Sequence, residues 1–578
     1  MGTLSTALAA LTAAPTDPIT APAISYSETA PVLILLGGAV LAILFEAFVP
    51  RRMRYPVQSV FALLVIAAAL GWTLWGKSQE DYGVTFGGAL VVDAGTYVMW
   101  AVLLVLALPS VLLMADRVSE PGGAFVTQAA AKVGSSRDRA AARLAAPMQT
   151  EVFPLALFAV AGMAIFPATT DLVTLFVALE VLSLPLYLLC GLARRRRLIS
   201  QESAVKYFLL GAFTSAIFLY GLALLYGYSG STQFSAIAAQ ARAGESSDVL
   251  LIGGIALVLV GLLFKASVGP FHLWTPDVYQ GAPTPITAFM AACTKVAAFA
   301  AMLRVCLVAL EPMTWTWQPV LGVIAGASMV IGAVIGITQT DMKRMLAYSS
   351  VAHAGFILLG VLAMSSAGAS ATLFYLLTYG FATIGAFAVL TVVRKGDGEA
   401  SHVSDWAGLA KRSPVLAAVM SLFLLSFAGI PLTAGFIGKL SVFTAAMQAG
   451  LGWLVVLAMV ATAITAFFYL RIVVVMYFAD PVLPGAGTDR VPVGAAAPTG
   501  PLAGGSSGGS AARSGSAATS GAAQPSPAGT VAGAAPFVVV PGVLTVIVIA
   551  LAVVVTLGLG LFPGPALDWL TIPLPLLS

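Results

Sequence analysis

Fourteen stretches of this chain are apolar over a length of about 17 residues or more, at which a helix can cross the hydrocarbon core of a bilayer. They fall at 31–49, 57–76, 92–115, 151–167, 172–193, 200–229, 249–280, 285–309, 317–338, 344–364, 370–393, 413–447, 452–479 and 537–562. Of the 578 residues 59% are hydrophobic and 9% charged, whereas a soluble domain carries roughly 25% charged residues. No water-facing fold can hide that much apolar surface, so lipid has to act as the solvent. In lipid each backbone polar group must be bonded within its own span. The sequence therefore predicts an all-α integral membrane protein of about 14 transmembrane helices.

The basic residues orient it. If the N-terminus lies outside, twenty Lys and Arg fall in inside loops: Arg51, Arg52, Arg54, Arg117, Lys132, Arg137, Arg139, Arg143, Arg194–Arg197, Lys343, Arg344, Arg394, Lys395, Lys411, Arg412, Arg490 and Arg513. Lys77 and Arg242 fall outside, with Arg304 near an outer helix end. This asymmetry obeys the positive-inside rule and puts both termini outside. Short basic clusters between apolar runs are a topology signal and do not suggest nucleic-acid binding. Residues 1–30 lack a basic segment followed by an apolar core, so no cleaved signal peptide is expected.

The chain divides into an N-terminal region of three spans (1–115), an inside loop (116–149), a core (151–480), a linker (484–533) and a final span (537–562). The linker is rich in Gly, Ala, Ser and Pro, a composition expected to stay disordered. Two stretches, 249–280 and 413–447, are too long for one straight span, and each contains a breaker: Gly269-Pro270 and Gly429-Ile430-Pro431. They are the seventh and twelfth spans. An offset of five inverts the second relative to the first, which predicts two inverted five-helix repeats (spans 4–8 and 9–13), each with a broken helix. Ion translocators recurrently use this device, because unwound backbone is tolerated only beside a polar cavity.

Five basic residues lie within spans: Lys206, Lys265, Lys295, Lys439 and Arg471, with acidic companions Glu180 and Glu202. A charge at the bilayer centre costs roughly 2.5–3.5 kcal/mol, so such residues are functional candidates. Lysine is the informative choice, since a buried lysine can exchange its proton near neutral pH and an arginine cannot. Glu180 and Lys206 sit on consecutive spans, where antiparallel neighbours can bring them together. Glu202 and Lys206 are four apart on one helix. Lys206 also lies near enough to the inner end to be a snorkelling anchor, and Arg471 is read as structural. His272 and His353 are either proton relays or hydrogen-bonded core residues. Cys190, Cys293 and Cys306 show no metal-ligand spacing and are read as packing residues. The chain has no phosphate-binding Gly loop, no dinucleotide fingerprint and no cysteine cluster for iron–sulfur, so energy for ion movement has to come from elsewhere.

The stretch LLFKASVGPFHLWTPDVYQGAPTPITAFMAACTKVAAFA (residues 262–300) resembles the proton-translocating antiporter-like family. QTDMKRMLAYSSVAHAGF at 339–356 and GIPLTAGFIGKLSVF at 429–443 agree with it. That family includes three large membrane subunits of NADH:quinone oxidoreductase (complex I), subunits of multisubunit sodium/proton antiporters, and membrane subunits of some hydrogenases. Within it these stretches look most like the subunit N branch, since subunit M has Glu where this chain has Lys439. The resemblance covers roughly residues 30–480 and the final helix. It implies that Glu180, Lys206, Lys265, Lys295 and Lys439 carry proton translocation, with His272 and His353 beside them; Glu202, four residues before Lys206, is an auxiliary candidate from that spacing alone. It further implies a bacterial inner (plasma) membrane location and neighbouring antiporter-like and small membrane subunits as partners. Electrons would pass from NADH through FMN and iron–sulfur clusters to quinone in partner subunits, with no cofactor in this chain. The rival readings are a sodium/proton antiporter or membrane-bound hydrogenase subunit, and a non-pumping scaffold.

Overall fold

The computed structural model describes residues 24–119, 123–125, 150–194, 197–244, 248–396, 398–480, 535–574 and 576. The linker expected over 484–533 and most of the loop expected over 116–149 lie outside the described residues. Spans 1 to 6 are Tyr26–Phe48, Arg51–Gln79, Ala94–Met114, Val152–Ala168, Leu172–Cys190 and Arg197–Ser229. Span 7 is broken into Asp248–Ala266 and Trp274–Gly281, and span 8 runs from Thr284 through two π-turns to Ala309. Spans 9 to 11 are Thr314–Thr338, Met342–Leu362 and Ser366–Val392. Span 12 is broken into Pro414–Ala428 and Ala434–Gln448, and Gly452–Phe478 and Val543–Leu561 complete the set. Twelve of these helices are long and apolar enough to cross a membrane singly; Val152–Ala168 and the two-part span 12 bring the described crossings to fourteen.

Helix starts follow from the local sequence. Asp93, Asp171, Asp341 and Ser365 each accept a bond from a first-turn backbone N–H of the helix that follows, satisfying donors that no earlier carbonyl can reach. The neighbour pairs are also informative. In spans 4–8 the packed pairs are 4 with 5, 5 with 6, 6 with 7, 7 with 8, and 4 with 8. The corresponding pairs in spans 9–13 are packed in the same way, 9 with 10 through to 9 with 13. Consecutive crossings alternate in direction, so the two five-helix sets are related by inversion. Spans 8, 10 and 11 form the centre, while spans 1, 6 and 14 expose apolar side chains such as Leu41, Phe213 and Val554 on the outside of the bundle.

Both breaks carry unusual backbone. Ser267 (φ 62°) and Leu432 (φ 71°) occupy the left-handed region that non-glycine residues avoid, at a cost of about 1–3 kcal/mol each. The first break is tied to the second repeat, because Gly269 N–H donates to Ser328 Oγ (2.9 Å) and Ser328 Oγ donates to Val351 O (2.8 Å).

Short strands outside the helices were not visible in the sequence. Gly83–Thr85 pairs with Leu90–Val92. Val393–Lys395 pairs with both Gly398–Glu399 and Pro536–Val538. Apolar residues after 536 therefore begin as a strand, and the last helix starts at Val543 instead of 537. The start of span 1 and the helix after span 14 lie on one side of the bundle: Ser25 N–H donates to Thr85 Oγ1 (3.0 Å), and Lys77 Nζ reaches Trp569 O (2.6 Å).

Candidate functional site

Three of the sequence-selected lysines are fully enclosed: Lys265 is 3%, Lys295 1% and Lys439 4% exposed. What holds them is unusual for buried cations. Lys265, one residue before the end of the first span-7 half-helix, donates to Ser183 Oγ (2.8 Å) and Tyr207 OH (3.1 Å). Its ammonium also lies 5.3 Å from the Tyr207 ring centre, and that ring stacks on Trp274 across the break. Lys295 follows a π-turn at Met290–Thr294 and donates to Ala266 O (2.9 Å) and Ser350 O (3.2 Å). Lys439 donates to Phe427 O (2.9 Å) and Ala428 O (3.2 Å).

Ala266 and Ala428 are the last residues of the two broken half-helices. A helix end leaves its final carbonyls without intrahelical donors and carries a partial negative charge. The two breaks thus expose carbonyl groups, and one lysine caps each set. Among the described residues none of the three lysines touches a carboxylate. A neutral amine can still donate to a hydroxyl or carbonyl, so each lysine keeps hydrogen-bond partners when it releases its proton.

Lys206 is placed differently. It is half exposed and pairs with Glu202 Oε1 (2.8 Å) and Asp277 Oδ2 (2.9 Å). The pairing expected from the sequence, Glu180 with Lys206, is not formed. Glu180 keeps a buried Oε1 with no hydrogen-bond partner among the described residues, one helical turn before Ser183, whose hydroxyl holds Lys265. The reason is local. The second half of span 7 packs against span 6, with Ser203 Oγ donating to Asp277 O (2.8 Å), and this places the Asp277 carboxylate on Lys206. Asp277 was not singled out in the sequence. Its other oxygen accepts from Arg344 Nη1 (2.6 Å), so it joins a first-repeat lysine to a second-repeat arginine.

His353 lies between Lys295 and Lys439 on span 10. Ser350, whose carbonyl holds Lys295, is one turn before it, and Phe356, whose ring centre lies 4.9 Å from Lys439 Nζ, is one turn after it. Its ring nitrogens are bonded to Tyr375 OH (2.9 Å) and Tyr469 OH (3.2 Å). His272 sits inside the first break, 5% exposed, with Nδ1 unpartnered among the described residues. Arg471 is exposed on span 13 and caps Ile337 O (3.1 Å), the structural role expected of it. Arg304, expected near a helix end, pairs there with Asp93, the cap at the start of span 3, and is fully buried in that two-pronged contact (2.7 and 2.9 Å).

Where spans 8 and 10 begin and span 11 has ended, Lys343 Nζ pairs with Glu399 Oε2 (2.8 Å), whose other oxygen accepts from Thr284 Oγ1 (2.5 Å). Burial alone would raise the Glu399 carboxyl, but the Lys343 ammonium and these hydrogen bonds outweigh it and hold the group below the usual carboxylate range.

Paired broken helices, carbonyl-capped lysines at each break and an imidazole between them define an antiporter-like ion-translocating membrane subunit. The transmembrane family model described as NADH:quinone oxidoreductase/Mrp antiporter matches residues 169–465. The NADH-quinone oxidoreductase subunit N of Saccharopolyspora erythraea is 51% identical over 95% of this chain and 97% of its own length. That of Salinispora arenicola is 50% identical over 95% and 97%. Among solved structures, a chain of respiratory complex I from Thermus thermophilus is 32% identical, covers 93% of this chain and 98% of its own, and superposes with a TM-score of 0.67. A chain of the Mrp complex from a Dietzia species shares the fold (TM-score 0.72) at 22% identity over 94% of this chain and 96% of its own. The chain belongs to the NADH-quinone oxidoreductase subunit N family.

Proposed function

We propose that this chain is the proton-translocating membrane-arm subunit of a bacterial respiratory NADH:quinone oxidoreductase, and that protons pass by Lys265, Lys295, His353 and Lys439 to the outer side. The observation that carries the path is the set of buried lysines held by hydroxyls and half-helix carbonyls, with no carboxylate bonded to any of them among the described residues. Glu180, with its free buried oxygen, sets the field at Lys265. Lys206 is the movable cation: held by Glu202 and Asp277 it leaves Glu180 to act on Lys265, and drawn to Glu180 it screens that charge. His272 lies in the break beside this first step.

The energy comes from electron transfer through FMN and iron–sulfur clusters to quinone in partner subunits, while this chain supplies no redox group. Its neighbours are other antiporter-like and small membrane subunits, both termini face outward, and 151–480 forms the translocating core between the three-span region 1–115 and the final span. Affinity purification of the intact assembly from detergent-solubilised membranes tests the reading. Flavin and iron–sulfur should co-purify with the chain and support NADH-dependent quinone reduction. A chain recovered only with other antiporter-like subunits, without redox centres, would belong to a sodium/proton antiporter.

A further inference from the structure

His353 does not touch either lysine that it separates. Lys295 is bonded to Ala266 O and Ser350 O, and Lys439 to Phe427 O and Ala428 O. The imidazole faces are walled by aromatic rings, Tyr379 at 4.7 Å and Phe427 and Phe356 both at 5.7 Å between centres. Among the described residues its polar contacts are two hydroxyls, Tyr375 OH on Nδ1 and Tyr469 OH on Nε2. Tyr469 OH is bonded in turn to Ser349 Oγ, next in sequence to the Ser350 that holds Lys295. Tyr375 packs on the other side against Gly438, next in sequence to Lys439: a Cβ built on Gly438 would lie 2.9 Å from Tyr375 Cδ2. All three hydroxyl residues are enclosed.

We propose that Ser349, Tyr469 and Tyr375 are proton-relay residues that carry the proton into and out of His353, an inference that rests on the path through His353 given above. In the starting state Ser349 O–H donates to Tyr469 oxygen, Tyr469 O–H donates to Nε2, and Nδ1–H donates to Tyr375 oxygen. A proton leaving the Lys295 ammonium passes through one water to Ser349 oxygen as the Ser349 O–H proton moves to Tyr469. The Tyr469 proton moves to Nε2, the Nδ1–H bond breaks, and that proton goes to Tyr375. Tyr375 then gives up its own proton through water to the neutral Lys439 amine. Each relay residue gains one bond to hydrogen and loses one, at the same oxygen in Ser349, Tyr469 and Tyr375 and at opposite nitrogens in His353, so no tyrosinate or imidazolium is left behind in the apolar interior. A flip of the imidazole and rotation of the three hydroxyls restore the starting state.

The test compares Tyr375→Phe, Tyr375→Leu, Tyr469→Phe and Tyr469→Leu in the assembled complex, alongside His353→Gln and the His353→Gln doubles. NADH-driven proton translocation is read in membrane vesicles and normalised to assembled complex. Phe keeps the ring and removes only the hydroxyl, so a packing role would leave the Phe variants normal and impair the Leu ones. A relay predicts that the Phe variants fall as far as the Leu variants, by at least about tenfold. It also predicts that adding either Phe change to His353→Gln costs nothing further, because the steps are in series. Normal pumping by both Phe variants with His353→Gln impaired would overturn the relay and leave the path through His353 standing. Normal pumping by His353→Gln would overturn both.

Discussion

Lys265→Arg keeps the positive charge at the end of the span-7 half-helix while making that charge far harder to lose. Arginine holds its proton about 2–3 pKa units more tightly than lysine, which at about 1.4 kcal/mol per unit is roughly 3–4 kcal/mol. If Lys265 must deprotonate in each cycle, translocation should slow at least about 100-fold. If the residue is only a counter-ion for Glu180, arginine should serve as well or better. The site limits the size of the replacement: the cavity beside Lys265, lined by Ser183, Tyr187, Gly211 and Phe264, is about 10 Å³, room for about one water. The larger guanidinium therefore adds an overpacking cost of about 1–3 kcal/mol. Lys265→Met controls for this, since it removes the charge without added bulk, and Ser183 keeps its bond to Leu179 O (2.5 Å). Both variants should assemble, as judged on native gels. Both should lose proton uptake into inverted vesicles, with NADH oxidation slowed in step. Near-normal pumping by Lys265→Arg would remove Lys265 from the proton path.

Glu180→Gln keeps the shape and removes the charge proposed to act on Lys265, one turn from the Ser183 that holds it, so pumping in the assembled complex should drop roughly tenfold, equivalent to about 1.4 kcal/mol; pumping at the wild-type rate would remove Glu180 from the coupling. Gly438→Ala puts a Cβ 2.9 Å from Tyr375 Cδ2 and 3.1 Å from Thr378 Oγ1. It should cost about 1–3 kcal/mol of stability and reduce pumping by displacing Tyr375 from His353, read as a lower melting temperature together with slower vesicle acidification. Glu399 has a depressed pKa, so its contribution to stability is complete above the ordinary carboxylate range and is lost as pH falls through the lowered value. The difference in thermal stability between wild type and Glu399→Gln should therefore be constant at neutral pH and close below about pH 4; a gap that persists in acid would show that shape and not charge is responsible.

The spans were legible because length and apolarity decide them. The run 200–229 is the helix Arg197–Ser229, and 452–479 is Gly452–Phe478. The breaks were legible because Pro270 and Pro431 interrupt runs too long for one crossing. Lys265, Lys295 and Lys439 stood out since a charge is costly in an apolar run, and all three proved buried. Partnership was not legible in the same way. Asp277 lies just past a break, where a charge is unremarkable, and only the docking of Trp274–Gly281 between spans 6 and 10 makes it the carboxylate that Lys206 meets. Tyr207, Tyr375 and Tyr469 carry no sequence signal that sets them apart from other aromatics, because their hydroxyl contacts depend on side chains that come together only in the fold. The Asp93–Arg304 pair joins residues 211 positions apart, a link that neither local sequence suggests. The strand Pro536–Val538 is apolar like the helix it precedes and is defined only by its partner Val393–Lys395.

Lys439→Gln gives the most direct measurement of whether these buried lysines carry the proton. Lys439 caps Phe427 O and Ala428 O at the second break, and leaving two such carbonyls unsatisfied would cost about 1–3 kcal/mol each. Glutamine retains an N–H donor for that end of the half-helix but has no proton to exchange, so assembly is preserved and titration is not. The quantity to measure is the initial rate of NADH-driven proton translocation per assembled complex in sealed vesicles, with NADH oxidation followed in the same sample. The account predicts at least a tenfold loss of translocation, in line with the loss of a positioned proton carrier, with oxidation slowed in parallel. Translocation at the wild-type rate by an assembled Lys439→Gln complex would contradict it.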